Sequence, residues 1–262
     1  MNFADKLQKA VSKNNSLLCV GLDPDPSQGD SFKSGHSIFK FNQQIIDQTA
    51  DLVCAYKPNI AFYEAEGLEG LRALKETILY LAKNFPQIPI VFDAKRADIP
   101  NTARMYAKSA FDYWQADAVT VYPHLGLDSL KPFLEYKDKL IILLIKTSNP
   151  DSGMFQDLKT ADGPYYLAMA KRIKSWQFKN IGIFAPATYP KELEELRAIF
   201  PDKIFLSAGI GVQKGVVKAA VKAGVNKRGS GIMFNASRSV IYDKNPQKAA
   251  KSLKDEINKY RR

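Results

Sequence analysis

The stretch IPIVFDAKRADIPNTA, residues 88–103, carries the reading of this chain. It begins as an apolar run (Ile88, Ile90, Val91, Phe92) and then turns charged at Asp93, Lys95, Arg96 and Asp98. No polar residue alternates within the apolar part. That pattern is expected of a strand covered on both faces in a parallel sheet, and not of a half-exposed antiparallel one. The change of character marks the C-terminal end of the strand, and Asn101 then offers an N-cap for a helix over TARMYAKSAFDYW. Strand, charged loop and helix in that order make one βα unit.

The same unit recurs along the chain. Apolar, β-branched runs also occupy Leu17–Asp23, Leu52–Pro58, Ala118–Pro123, Leu140–Lys146, Ile181–Pro186, Ile204–Gly209 and Gly231–Asn235. Helical periodicity separates them, as in Leu71, Leu74, Ile78 and Leu81, and in PKELEELRAIF, where Pro190 sits at a helix-start position. Eight such alternations in 262 residues predict an α/β chain folded as a single (β/α)8 TIM-barrel domain over 1–262, a fold that typically takes about 250 residues. An open doubly wound sheet would need GxGxxG after the first strand. The nearest stretch, Gly209-Ile-Gly211-Val-Gln-Lys-Gly215, has the wrong spacing and comes late.

Composition narrows the function classes. Apolar residues make up 45% and charged residues 25%, which excludes a disordered or collagen-like chain. The longest aliphatic run, Leu140–Ile145, is far short of the roughly 18 residues that span a bilayer. The N-terminal MNFADKLQKAVSKN is amphipathic and lacks the apolar core of an export signal, so a cytoplasmic protein without membrane attachment is expected. Cys19 and Cys54 lie in apolar runs without CxxC spacing and are expected to be buried free thiols. The net charge of +11 favours anionic ligands. Its lysines are scattered along helical faces with no aromatic interleaving, zinc or helix-turn-helix signature, so nucleic acid is not expected as a partner.

In such a barrel the active site lies at the C-terminal ends of the strands. There the chain places Gly21-Leu22-Asp23-Pro24, Tyr56-Lys57-Pro58-Asn59, the 93–98 segment, Tyr122-Pro123-His124 and Lys146-Thr147-Ser148-Asn149-Pro150. Asp93 and Lys95 are two apart and leave one face of a regular strand, Asp98 follows in the loop, and Lys57 comes from the neighbouring strand. Interleaved carboxylates hold lysines in the charged form. A permanently charged lysine suits stabilisation of negative charge and delivery of a proton. A Schiff-base role would need a neutral amine. Gly209-Ile-Gly211 with Gln213, Gly229-Ser230-Gly231 and Arg238 together predict an anion site, because glycines let backbone N–H groups approach a phosphate and arginine forks onto it. Two separated polar sites imply a substrate with phosphate at one end and a reacting carbon at the other. With only His36 and His124 and no cluster of ligating side chains, no metal is expected, and His124 is given a packing role. Glu64 and Glu66 sit on one connection and do not flank a cleft as a glycosidase pair would.

At these residues the sequence resembles orotidine 5′-phosphate decarboxylase, and most of all its longer bacterial subgroup, over nearly the whole chain. The resemblance rests on GLDP (21–24), AYKPN (55–59), FDAKRADIPNTA (92–103), KTSNP (146–150), AGIGVQ (208–213) and GSGIMFNASRSVIY (229–242). It implies a cofactor-free lyase of pyrimidine biosynthesis that converts orotidine 5′-monophosphate to UMP and CO2, acting as a homodimer with shared active sites. It further implies that Lys57, Asp93, Lys95 and Asp98 form a charged tetrad, with Asp98 supplied by the partner subunit. Lys95 would protonate C6 of the pyrimidine and Asp93 would lie by the substrate carboxylate. Asp23 and Lys57 would hold ribose hydroxyls, and Thr102 would reach a ribose across the dimer interface. Ser148 would contact the pyrimidine, with Gly209, Gln213 and Arg238 at the phosphate. Ala208 and Pro100 depart from the residues usual in the family, and Pro100 is expected to stiffen the loop entering the Asn101 helix. Two rivals are a Mg2+-dependent decarboxylase of a sugar-acid phosphate sharing D-x-K-x-x-D, and a non-enzymatic basic protein that binds nucleic acid. The KTSNP segment together with Gln213 and Arg238 favours the pyrimidine nucleotide.

Overall fold

A computed structural model describes residues 1–28, 32, 37–211 and 214–261. The strands, in chain order, are β1 (Leu18–Leu22), β2 (Ala55–Pro58), β3 (Val91–Arg96), β4 (Ala118–Val121), β5 (Leu140–Leu144), β6 (Lys159–Thr160), β7 (Gly163–Pro164), β8 (Ile181–Phe184), β9 (Phe205–Ala208) and β10 (Ile232–Ala236). Eight of them pair in parallel in the order β2-β1-β10-β9-β8-β5-β4-β3. Isolated parallel bridges Tyr56↔Ile90 and Asn59↔Asp93 join β3 back to β2 and close the barrel. The expected (β/α)8 architecture is therefore present, with each of the eight apolar runs supplying one barrel strand. β6 and β7 form only a short antiparallel hairpin outside it.

The absence of alternation in the runs has its cause in this packing. All five residues of β5 are buried, because one side faces the barrel interior and the other the helical layer. The helices turn one stripe inward. In Gly67–Asn84, Leu74, Ile78 and Leu81 are buried, each apolar side chain contributing about 1.5–3 kcal/mol on burial. The amphipathic N-terminal segment forms helix Phe3–Asn14, capped by Asn2, whose side chain accepts from Asp5 N–H at 2.9 Å. Pro190 opens helix Pro190–Ile199 as expected. Cys19 and Cys54 are buried free thiols, and burial pushes the Cys19 thiol up to about 12. Among the described residues no helix is long and apolar enough to cross a membrane.

Two local expectations are corrected. Asn101 is not the helix cap: the helix spans Pro100–Lys108, with Ile99 in the cap position and Pro100 in the first turn. Proline presets the helical φ and gives up an N–H that has no intrahelical partner there, so the helix starts two residues earlier than an Asn101 cap would place it. The helix then runs into a π turn, Ser109–Tyr113. The second correction concerns Gly229-Ser230-Gly231, which precedes β10 and so lies at the opposite end of the barrel from the C-terminal mouth. Gly229 and Gly231 have φ of +65° and +77°, a region that favours glycine. Asn226 Oδ1 accepts from the N–H groups of Arg228 and Ser230, and the Arg197 guanidinium donates to the Gly231 carbonyl at 2.9 Å. These glycines build a turn and take no part in an anion site at the mouth.

Candidate active site

β3 does not run as a regular strand to its end. Val91 and Phe92 pair with Ala118 and Val119, but the next partner of β4 is Arg96, opposite Val121, so the register shifts across residues 93–95. Lys95 takes up the shift with φ of +47°, a left-handed conformation that costs a non-glycine residue on the order of 1–3 kcal/mol. Thr120 offsets part of that cost. Its Oγ1 accepts from Lys95 N–H at 3.0 Å and donates to Asp93 Oδ1 at 2.8 Å. The simple two-residue alternation is thus broken, yet the two side chains still meet.

Asp93 receives an ammonium on each carboxylate oxygen. Lys95 Nζ lies 2.7 Å from Oδ1 and Lys57 Nζ 2.8 Å from Oδ2. Lys57 also stands 3.9 Å from Asp23 Oδ1. Side-chain exposure separates the two lysines: Lys57 is 6% exposed and Lys95 39%. Lys57 is locked among carboxylates, whereas Lys95 is the ammonium presented to the mouth. Burial is the strongest single influence on both Lys57 and Asp93 and works against charge. At Lys57 it is outweighed by the neighbouring Asp23 and Asp93 carboxylates, which hold the ammonium above its ordinary value. At Asp93 it is outweighed by Lys57 and Lys95, which hold the carboxyl below its ordinary value.

Beside this cluster, at the C-terminal ends of β1, β9 and β10, opens a cavity of about 540 Å³ whose walls include Asp23, Gly209, Ile210, Gly211, Ser237 and Arg238. Gly209 has φ of +91°, and a Cβ there would stand 2.8 Å from Thr188 Cγ2, so only glycine suits the position. Arg238 opens the short helix Arg238–Ile241 with an exposed side chain that pairs with no carboxylate among the described residues. Tyr242 OH accepts from Asp25 N–H at 2.6 Å, which ties the loop after β1 to the segment after β10. Asp23 and Arg238 therefore share one cavity.

The remaining sequence candidates are placed less centrally within one chain. Asp98 is half-buried. Its carboxylate accepts from Ile99 N–H at 2.8 Å and has no ion pair to Lys57 or Lys95. Thr102 is half-buried on the helix that follows. Ser148 is exposed on the loop after β5, just beyond Lys146, which is buried and paired with Asp157 at 2.6 Å. Gln213 and His36 lie outside the described residues. His124 packs with its ring centroid 6.0 Å from Tyr122 and 5.9 Å from Tyr165. Glu64 pairs with Arg96 at 3.0 Å.

Thr120, Asn235 and Ser237 were not singled out by the sequence reading. Thr120 carried a usable signal, as the one hydroxyl within the apolar run Ala118–Val121. Asn235 and Ser237 carried a weaker one, as polar side chains flanking Ala236 where β10 ends.

Comparison with known proteins adds a second line. The model of the orotidine 5′-phosphate decarboxylase / HUMPS family matches residues 16–253. Among curated proteins, the chain is similar to orotidine 5′-phosphate decarboxylase of Ralstonia nicotianae, at 42% identity over 272 residues and the full length of both. It is similar also to that of Cellvibrio japonicus, at 43% identity over 98% of each chain. Among solved structures, OMP decarboxylase of Leishmania donovani superposes with a TM-score of 0.89 at 40% identity, covering 100% of this chain and 99% of the other.

Proposed function

This chain belongs to the orotidine 5′-phosphate decarboxylase / HUMPS family. It is a carboxy-lyase that converts orotidine 5′-monophosphate to UMP and CO2 in pyrimidine biosynthesis, and we propose that it does so without a cofactor, by electrostatics and a lysine proton. Loss of CO2 breaks the bond between C6 and the carboxylate carbon and leaves the electron pair on C6. No carbonyl is placed to delocalise that pair, so a fixed positive charge beside it must do the stabilising. Lys95 Nζ supplies the charge and then the proton: the N–H bond breaks, a C6–H bond forms, and the neutral amine recovers a proton from water. Asp93 holds Lys95 in place and sets a carboxylate beside the departing one, while Lys57 holds Asp93.

The phosphate is bound at the far side of the cavity by Arg238 and by the backbone around Gly209 and Gly211; the family resemblance adds Gln213, which lies outside the described residues. Binding energy gathered there positions the pyrimidine without touching the reacting bond. Asp23 and Lys57 take the ribose hydroxyls, and Ser148 contacts the base. Asp98 and Thr102 act in the site of a second copy. The exposed apolar side chains of Ile99 (62%) and Met105 (55%) flank them and favour a covered surface there. In this reading the protein works in the cytoplasm as a homodimer.

The observation that carries the proposal is the single carboxylate of Asp93 bridged by Lys57 and Lys95 at the mouth of the barrel. The test is to mix purified protein with orotidine 5′-monophosphate in the presence of EDTA and follow ultraviolet absorbance. A steady loss is expected. Activity that disappears with the chelator and returns with Mg2+ would overturn the cofactor-free mechanism.

A further inference from the structure

Asp23 is nine-tenths buried, and its two oxygens are treated differently. Oδ2 accepts from Ser237 Oγ at 2.7 Å, while Oδ1 has no hydrogen-bond partner among the described residues and faces Lys57 at 3.9 Å. Ser237 in turn lies 3.4 Å from Asn235 Nδ2. The direction of this chain is forced. An ionised carboxylate only accepts, so the one serine proton goes to Asp23, and the serine oxygen is left to accept from the Asn235 amide. That fixes the amide orientation and leaves Asn235 Oδ1 buried and without a partner among the described residues. Asp23, Asn235 and Ser237 all line the same cavity. A buried acceptor left unpaired is costly, and a site that tolerates one is a site prepared for a donor that arrives with the ligand.

The close approach is built into β1. A Cβ on Gly21 would stand 1.9 Å from Ser237 Oγ and 3.0 Å from Asp23 Oδ2, so the serine reaches the carboxylate only because residue 21 has no side chain. We infer that Ser237, oriented by Asn235, is a positioning residue that fixes the Asp23 carboxylate with Oδ1 free to accept from a ribose hydroxyl. This rests on the reading that Asp23 binds the ribose. Without the serine, the carboxylate is free to rotate toward Lys57 and satisfy itself there, and the ligand hydroxyl loses its ready-made acceptor.

The test is a set of affinities for UMP, 2′-deoxy-UMP and 3′-deoxy-UMP, measured by calorimetry on wild type, Ser237→Ala, Asp23→Ala and the double variant. Ser237→Ala is expected to weaken UMP about tenfold, the effect of losing a hydrogen bond to a charged group, and to leave the affinity for one of the two deoxy ligands at its wild-type value. In the Asp23→Ala background the serine substitution is expected to do nothing more. Gly21→Ala, which displaces the serine hydroxyl by crowding, is expected to reproduce the selective loss. If Asp23→Ala discriminates UMP from a deoxy ligand but Ser237→Ala weakens all three ligands equally, or none, the positioning role is wrong. If Asp23→Ala itself fails to discriminate, the ribose reading falls and the inference falls with it.

Discussion

Lys57 Nζ stands 2.8 Å from Asp93 Oδ2, with the lysine 4% and the aspartate 7% exposed, so the contact that organises the site is nearly sealed from water. A sealed ion pair is poor at stabilising a fold relative to an apolar pair of the same volume, but breaking it from one side is costly. Lys57→Met leaves Asp93 with Lys95 as its one remaining cation. It is expected to lower stability by about 3–5 kcal/mol and to remove activity, read by denaturant melts and turnover. Removing both partners, as in Lys57→Met with Asp93→Leu, should recover part of the stability and none of the activity.

The pH dependence of that pair has a definite sign. Asp93 has its carboxyl held below the ordinary value, so its contribution is present above that value and is lost as pH falls toward the folded one. Lys57 is held above its ordinary value, so its contribution is complete below that value and is lost as pH rises past it. The stability gap between wild type and Lys57→Met should therefore be flat from about pH 5 to 9 and narrow toward strong acid, as melting temperatures across that range will show. A gap that closes near neutrality would mean that another group carries it.

Lys95 has a backbone that glycine adopts without strain, which permits a clean removal of the ammonium. Lys95→Gly is expected to fold at least as stably as Lys95→Ala, because alanine at φ of +47° keeps the strain and glycine relieves it. Both variants should lose turnover by at least about a thousandfold and still bind UMP, since the missing group acts on the reacting carbon. Substantial turnover in either variant would remove Lys95 from the chemistry.

Arg238 has its exposed guanidinium on the cavity wall, away from the Asp93 cluster. Arg238→Ala should weaken UMP by about 2–5 kcal/mol and leave the affinity for uridine, which lacks the phosphate, unchanged. Equal losses for UMP and uridine would place the arginine elsewhere than at the phosphate.

Asp98 makes no ion pair with the two lysines of its own chain, so its proposed role needs a second copy. Asp98→Ala and Lys95→Ala homodimers should each be inactive. After mixing and reassociation they should regain about one quarter of wild-type activity, because half of the dimers are mixed and each of these has one intact site. No recovery, with subunit exchange verified by mass, would show that each chain completes its own site.

Much of the fold is legible in the chain's own pattern of residues. Runs buried on both faces need no polar alternation, so the eight strands stood out by composition, and the change from apolar to charged at Asp93 marked which strand end carries the chemistry. Asn101 misled because a proline at the preceding position starts a helix as effectively as an asparagine caps one. Gly229 and Gly231 misled because glycine marks a turn at either end of a strand, and local sequence does not say which end faces the mouth.

The repeat that closes into a barrel and the residue types at its strand ends can be read along the chain, because both follow from local periodicity and from the cost of burying charge. How those ends are held is fixed by contacts between strands. Lys95 takes a left-handed turn because Thr120, on the next strand, binds its amide. Asp23 keeps one oxygen free because Ser237, 214 residues later, occupies the other. Such arrangements depend on distances between strands that meet only when the barrel closes, and no local pattern encodes a hydrogen bond between residues that far apart in the chain.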